Sequence, residues 1–64
     1  MKIHEIFGHI STWCADNNVG LSLKKRKMIA AQIKARFDDS YLTITHSDPT
    51  GEQAVRNVMR AMYV

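Results

Sequence analysis

The spacing of the apolar residues constrains this fold most, because it follows a helical period in three stretches of the chain. In residues 3–16 apolar side chains recur at intervals of three and four positions, which places them along one side of a helix. The same period returns in residues 22–37 and again after Pro49. The sequence therefore predicts a mainly α-helical chain in which each of three helices buries one side.

Residues that end and start helices separate the first two stretches. Asn17, Asn18 and Gly20 tolerate the left-handed backbone that terminates a helix. Ser22 then provides a favourable N-cap for the second helix. The acids and serine of Asp38–Ser40 are typical of a turn and predict the end of that helix.

Two signals before the third helix predict different starting positions. Asp48 followed by Pro49 indicates an N-cap with proline in the first helical position. Thr50 followed three positions later by Gln53 has the pattern of a capping box. Both signals predict a helix that continues to about Tyr63.

The segment Tyr41–His46 lies between the second and third helices and has the pattern of a short strand. Its apolar residues alternate with threonines, which favours a half-buried extended chain. A lone strand would leave its backbone polar groups unpaired. It would therefore pair with residues 19–23, with its own copy in a dimer or with a partner chain, or else be an extended connection. The predicted fold is a small, single-domain, three-helix α-α-β-α arrangement with this strand before the last helix.

Chain length limits how much stability the core can supply. A chain of 64 residues buries only about 60% of the surface that its unfolded state exposes. No internal disulfide can compensate, because Cys14 is the only cysteine. Close helix packing or oligomerisation must do so instead. We therefore expect one small basic helical domain over residues 1–64 that forms a homodimer.

Composition argues against a membrane protein. No run of about 18 apolar residues is present, so the sequence predicts no transmembrane helix. The apolar stretch near the N-terminus contains His4, Glu5 and His9, which makes it a poor signal peptide. A single cysteine also fits a reducing compartment. We expect a soluble, cytoplasmic protein with no membrane partner.

The sequence offers little for catalysis or metal binding. Cys14 falls on the core side of the first helix, where a small buried hydrophobe is expected rather than a nucleophile. His4 and His9 are five positions apart and point to different sides of that helix, which does not suit a metal site. The three glycines are isolated, so no phosphate-binding loop is present. We expect no enzyme, no cofactor, no metal and no small-molecule substrate.

The second helical stretch, residues 22–37, suggests a function. It carries six of the nine lysines and arginines and no acid. Four of these cations, residues 24–27, crowd the first turn, where each opposes the helix dipole by about 0.3–1 kcal/mol. On the side opposite the apolar one, Met28, Ala31 and Ala35 form a narrow strip flanked by basic residues. A cationic surface that the core does not need favours contact with another macromolecule.

Two partners fit this surface. The first is DNA or a nucleoprotein complex, with the cations on phosphates, Gln32 at a base edge and the arginines of the third helix adding to the patch. The first two helices resemble a helix-turn-helix in their order only, without a specific base-reading signature. The alternative is an acidic protein, bound by a modulator or inhibitor of the phage or plasmid accessory type without nucleic-acid contact. The predicted binding residues are Lys24, Lys25, Arg26, Lys27, Met28, Ala31, Gln32, Lys34, Ala35, Arg36, Arg56 and Arg60.

Overall fold

Three helices make up most of the chain, as the sequence predicts. A computed structural model describes residues 1–63, and 67% of them are helical. The helices are α1 (Ile3–Asp16), α2 (Leu23–Asp38) and α3 (Glu52–Tyr63). The bounds predicted for α1 and α2 are confirmed to within one residue, whereas α3 begins later than either predicted start.

Helix α1 is the helix against which both of the others pack. It contributes four of the nine buried core side chains, and α2 and α3 supply the rest, whereas α2 and α3 barely touch each other. These contacts follow from the apolar spacing along each helix. The buried residues are Ile6, Ile10, Trp13, Cys14, Ile29, Ala30, Ile33, Val55 and Met59.

The connections around α2 satisfy its terminal backbone groups. Ser22 is the N-cap, as predicted, and its Oγ accepts a hydrogen bond of 3.1 Å from the Lys25 amide. At the other end, the amides of Tyr41 and Leu42 donate to the Arg36 carbonyl at 2.9 and 3.2 Å. Ser40 takes a positive φ of 63° to reverse the chain at that point. The backbone amides of the first two residues of the segment Tyr41–His46 are therefore used to terminate α2.

The predicted strand Tyr41–His46 is not confirmed. Within residues 1–63 the sole β-type pairing is a bridge between Thr45 and Asp48, where the Asp48 amide donates to the Thr45 carbonyl at 3.1 Å across a tight turn. In the predicted partner segment, residues 19–22 form no strand and Leu23 already begins α2. Without a second strand to pair its backbone, the segment forms a loop instead.

Asp48 caps α3 from several positions upstream. Its two carboxylate oxygens accept hydrogen bonds of 3.0 Å each from the amides of Gln53 and Ala54. The capping box predicted for Thr50 and Gln53 does not form, because Asp48 already accepts from the Gln53 amide. Asp48 therefore stabilises the helix start as the sequence predicts, although the helix itself begins only at Glu52.

The loop before α3 closes one end of the molecule. Gly51 is buried and has a φ of 70°, a left-handed conformation that glycine adopts without strain. A Cβ at this position would lie 2.9 Å from both Sδ and Cε of Met1 and 3.2 Å from Cζ of Phe37. Close approach of the first residue and of the end of α2 therefore requires a glycine here.

His9 joins α1 to the start of α3. Its Nε2 lies 3.2 Å from the Thr50 carbonyl oxygen, and its Nδ1 lies 3.6 Å from Oε2 of Glu52. The helical pattern places His9 on the outer side of α1, but the structure makes it half-buried at an interhelical contact.

Candidate nucleic-acid interface

Four of the cations of α2 are exposed and have no ion-pair partner among residues 1–63. They are Lys24, Lys25 and Lys27 in the first turns and Arg36 near the end. The first three lie where the helix dipole is positive and where no acid is available. Because their charge is not neutralised within the described chain, an anionic partner can take it up.

Arg26 lies between helices rather than on this surface. It is half-buried, its Nη1 donates to the Ser11 Oγ at 2.9 Å, and its guanidinium carbon lies 5.4 Å from the centre of the Phe7 ring. Its Nε is buried and makes no hydrogen bond within the described residues. A cation over an aromatic face contributes about 0.5–1 kcal/mol at a partly exposed site. Arg26 thus stabilises the α1–α2 contact, and its guanidinium is already engaged by side chains of α1.

Two further cations of the predicted site have acidic partners within the chain. Lys34 Nζ lies 2.7 and 2.9 Å from the two carboxylate oxygens of Asp38, one turn later. Arg56 Nη2 lies 3.2 Å from Oδ2 of Asp16, which links α3 to the end of α1. Exposed pairs of this kind contribute only about 0.2–1 kcal/mol. Both cations are therefore already ion-paired within residues 1–63, unlike Lys24, Lys25, Lys27 and Arg36.

Arg60 lies on a side of α3 that is turned away from the groove between α2 and α3. It follows Arg56 by one turn and so shares the side of α3 that faces Asp16. Val58 and Ala61 lie on the opposite side, towards α2. The arginines of α3 therefore do not extend the surface of α2, although the sequence suggests that they could.

The remaining predicted residues form one continuous exposed surface, here named the basic face. Its apolar strip is uncovered: Ala31 and Ala35 are exposed, and 47% of the Met28 surface is accessible. The residues share the side of α2 that points away from the core, with the lysines towards the N-terminal end. The basic face consists of Lys24, Lys25, Lys27, Met28, Ala31, Gln32 and Ala35, with Arg36 at its edge.

A groove between α2 and α3 is a feature that the sequence does not reveal. Its volume is about 350 Å³, and it is open to solvent along one side. Ala61 and Met62 belong to the apolar residues of α3, yet both are exposed because α3 packs on α1 and leaves α2 at a distance. Seven residues line the groove, namely Ile29, Gln32, Ile33, Arg36, Val58, Ala61 and Met62.

A second concavity lies between α1 and α2, beside the basic face. Its volume is about 330 Å³, and its walls are almost entirely apolar. Ile3 and Phe7 of α1 and Ala30 of α2 form the walls, and the side chains of His4 and Lys27 border the opening. Ile3 lines this open concavity, so 46% of its surface is exposed although it belongs to the apolar side of α1.

The environment of Cys14 disfavours a reactive thiolate. The side chain is buried, and burial raises the pKa of the thiol above its ordinary value, while the nearby Arg26 guanidinium lowers it and offsets part of that rise. Within residues 1–63, no three His, Cys, Asp or Glu side chains are grouped so that they could hold a metal ion. None of the helices formed by those residues combines the length and the apolar character needed to span a bilayer.

Comparison of the chain with protein-family models, with curated proteins and with solved structures found no match. The functional argument therefore depends on the geometry and charge of the surfaces described above.

Proposed function

We propose that this chain is a small, non-enzymatic regulator that binds DNA, alone or in a nucleoprotein complex, through the basic face of α2. One observation supports this proposal most: Lys24, Lys25 and Lys27 are exposed together without an acidic partner in residues 1–63. The single acid of α2 is Asp38 at its far end, which already binds Lys34.

Phosphate contacts supply most of the affinity expected from such a surface. Each lysine that neutralises a phosphate releases condensed counterions, and the logarithm of the binding constant then falls with the logarithm of the salt concentration. With three to four contacts, from the lysines and Arg36, the slope is about −3 to −4 on duplex DNA. This slope is a direct count of the contacts that the basic face provides.

The uncharged residues of the basic face suit close approach to a duplex. Ala31 and Ala35 have no side chain beyond Cβ, so the backbone of α2 can come near the phosphates or a groove. Gln32 is exposed between them, and a glutamine amide can pair in bidentate fashion with an adenine edge, which discriminates against another base by about 1–3 kcal/mol.

The proposal includes a homodimer whose contact lies away from the basic face. Tyr41 and Ile44, in the loop after α2, are 83% and 48% exposed. Burial of such side chains in a self-association would offset the small core of a short chain. Because the loop is at the end of α2 opposite the lysines, a dimer through it would leave both basic faces free. Static light scattering tests this part: a mass equal to one chain would contradict it.

Binding to mixed-sequence duplex DNA, followed by fluorescence anisotropy over a salt series, tests the proposed function. We expect binding at about 50 mM salt that weakens steeply by about 200 mM. The triple variant Lys24→Glu, Lys25→Glu, Lys27→Glu is expected to abolish it. No detectable binding of the unmodified chain at the lower salt concentration would refute the proposal.

A matched pair of single variants localises the interface. Lys25→Glu and Arg60→Glu make the same change in charge, but only Lys25 belongs to the basic face. We expect Lys25→Glu to weaken DNA binding roughly tenfold or more and to lower the salt slope by about one, in line with the loss of a phosphate contact. Arg60→Glu should have little effect. Equal losses would show that DNA responds to overall charge and not to this face.

A second candidate function is modulation of an acidic protein without any nucleic-acid contact. The α2–α3 groove favours it, because an open apolar groove with a cationic rim suits a protein segment better than a duplex.

A further inference from the structure

We propose that the groove between α2 and α3 is a docking site for an acidic amphipathic helix of a partner protein. The inference specifies the partner of the second candidate function and rests on it. The groove shares Gln32 and Arg36 with the basic face, whereas its apolar residues are not part of that face. The groove is lined by Ile29, Ile33, Val58, Ala61 and Met62, with Gln32 and Arg36 as its polar residues.

The groove exists because α2 and α3 pack on α1 and not on each other. Ile29 and Ile33 are buried through their contact with α1, but their outer edges line the groove floor. On the opposite wall, Met62 is 47% exposed. Methionine side chains adapt to different partners because they are unbranched and polarisable, so they are frequent at surfaces that bind helices.

The dimensions of the groove match two turns of a helix. Ile29 and Arg36 are seven residues apart on α2, which corresponds to about 10 Å along the axis. A docked helix presents anchors at positions i, i+3, i+4 and i+7 over the same distance. The groove volume of about 350 Å³ lies at the lower end of the range of roughly 300–1,000 Å³ that is typical of ligand sites.

Charge identifies the occupant as acidic. Arg36 lies at the groove, has no ion-pair partner among residues 1–63, and no acid is among the lining residues. Lys25 lies one turn before Ile29 on the same side of α2 and extends the cationic rim. Acidic side chains flanking the apolar anchors would pair with both cations.

The same charges argue against a second copy of this chain in the groove. A two-fold axis through the groove would bring the Arg36 side chains of two chains towards each other without an intervening acid. Like charges juxtaposed across an interface disfavour that pairing. An acidic partner protein fits the groove better than self-association does.

Fluorescence polarisation with two designed peptides tests the proposal. The first is a labelled 16-residue helix with leucines at i, i+3, i+4 and i+7 and glutamates on its other side, and the second has lysines in place of the glutamates. We expect saturable binding of the glutamate peptide only. Amide shifts in NMR spectra should concentrate in residues 29–36 and 58–62.

Two variants and a matched control show whether peptide binding depends on the charge of the groove, on its shape or on both. Arg36→Glu is expected to weaken binding of the glutamate peptide roughly tenfold, whereas Arg60→Glu, the same change on the far side of α3, should not. Ala61→Leu fills the groove without changing charge, and because Ala61 is exposed the variant should fold; it should also weaken binding. Circular dichroism checks that each variant remains helical.

Several results would overturn the inference. They are no saturable binding up to about 1 mM peptide, equal binding of the lysine peptide, equal effects of Arg36→Glu and Arg60→Glu, or shifts centred on residues 24–27. A homodimer that Ala61→Leu dissociates would also overturn it, since a second copy would then fill the groove. If the unmodified chain failed to bind the glutamate peptide, the DNA-binding proposal would still stand, and if it failed to bind DNA, the groove proposal would still stand.

Discussion

Helix α2 packs closely against α1 on one side but leaves a gap towards α3 on the other. Towards α1, the side chains of Ile6, Ile10, Ile29 and Ile33 are almost completely buried, and Arg26 closes the edge over Phe7. Towards α3, a groove remains open, and Met62 is half-exposed. The same helix therefore contributes to the core on one side and borders an open groove on the other.

This difference shows that apolar spacing alone does not decide which residues are buried. The helical pattern assigns Met59 and Met62 to the same apolar side of α3, yet Met59 is fully buried and Met62 is 47% exposed. Met59 faces α1, whereas Met62 faces the gap left by α2. Whether an apolar residue of α3 is buried therefore depends on where the other helices lie and not only on the apolar spacing along α3.

The largest expected effect comes from deleting side-chain volume on the filled side. Ile10 is fully buried, so Ile10→Ala should lower the free energy of unfolding by about 2–5 kcal/mol, through lost burial and the cavity left behind. Met62→Ala, in the open groove, should change it by no more than about 0.5 kcal/mol. Urea denaturation measures both.

Ile10→Ala removes enough volume to unfold a chain of marginal stability, so a milder variant is needed for the comparison with Met62→Ala. Ile10→Val should lose about 0.5–1.5 kcal/mol. If Met62→Ala destabilised the chain as much as Ile10→Val, the groove would be closed in solution and the contrast between the two sides would be wrong.

An intermediate effect is expected at Gly51. This residue lies in the loop before α3 and packs closely against Phe37, near the end of α2. Gly51→Ala should cost about 1–3 kcal/mol, because alanine is strained at this positive φ and its Cβ would meet the Met1 side chain. Gly20→Ala is the control, since no atom lies within 4 Å of a Cβ built there and its φ is not positive. Thermal unfolding should leave that variant unchanged or slightly more stable.

The smallest expected effect is a pH dependence of stability that arises from Cys14, a buried residue of α1. Burial raises the pKa of the Cys14 thiol above its unfolded value, despite the opposing influence of Arg26. The folded chain then holds this proton when the unfolded chain has lost it, so the contribution to stability is present below about pH 8.5 and decreases at higher pH. We expect wild type to lose more stability between about pH 8 and 10 than Cys14→Ala. Parallel pH curves for the two would contradict the assignment.

The helices are predictable from the sequence because their signals are local. Ser22 lies directly before an apolar period and caps α2 as expected. The start of α3 was harder to predict, since Asp48 reaches over three residues to accept from Gln53 and Ala54. The strand Tyr41–His46 has a local pattern but no partner, and pairing is a property of the whole fold.

The candidate binding surface was predictable only in part, because some of its features also depend on the whole fold. The exposure of Lys24, Lys25 and Lys27 follows from helical spacing. The Lys34–Asp38 pair has the i, i+4 spacing of a helical ion pair, but the sequence analysis assigned Asp38 to the turn, so it did not predict this contact. The ion pair between Arg56 and Asp16 joins residues 40 positions apart, so no local pattern indicates it. The groove depends on the separation of two helices and had no sequence signal at all.

The central position of α1 has a consequence for how the chain comes apart. In a bundle whose three helices all touch, each helix keeps one neighbour when a single interface is lost. Here the interfaces are arranged in series, α2 with α1 and α1 with α3, so a helix at either end has no second neighbour to retain it. Loss of α1 breaks both links at once, whereas loss of α2 or α3 breaks one, and cooperativity between the outer helices passes through α1 and the connecting loop.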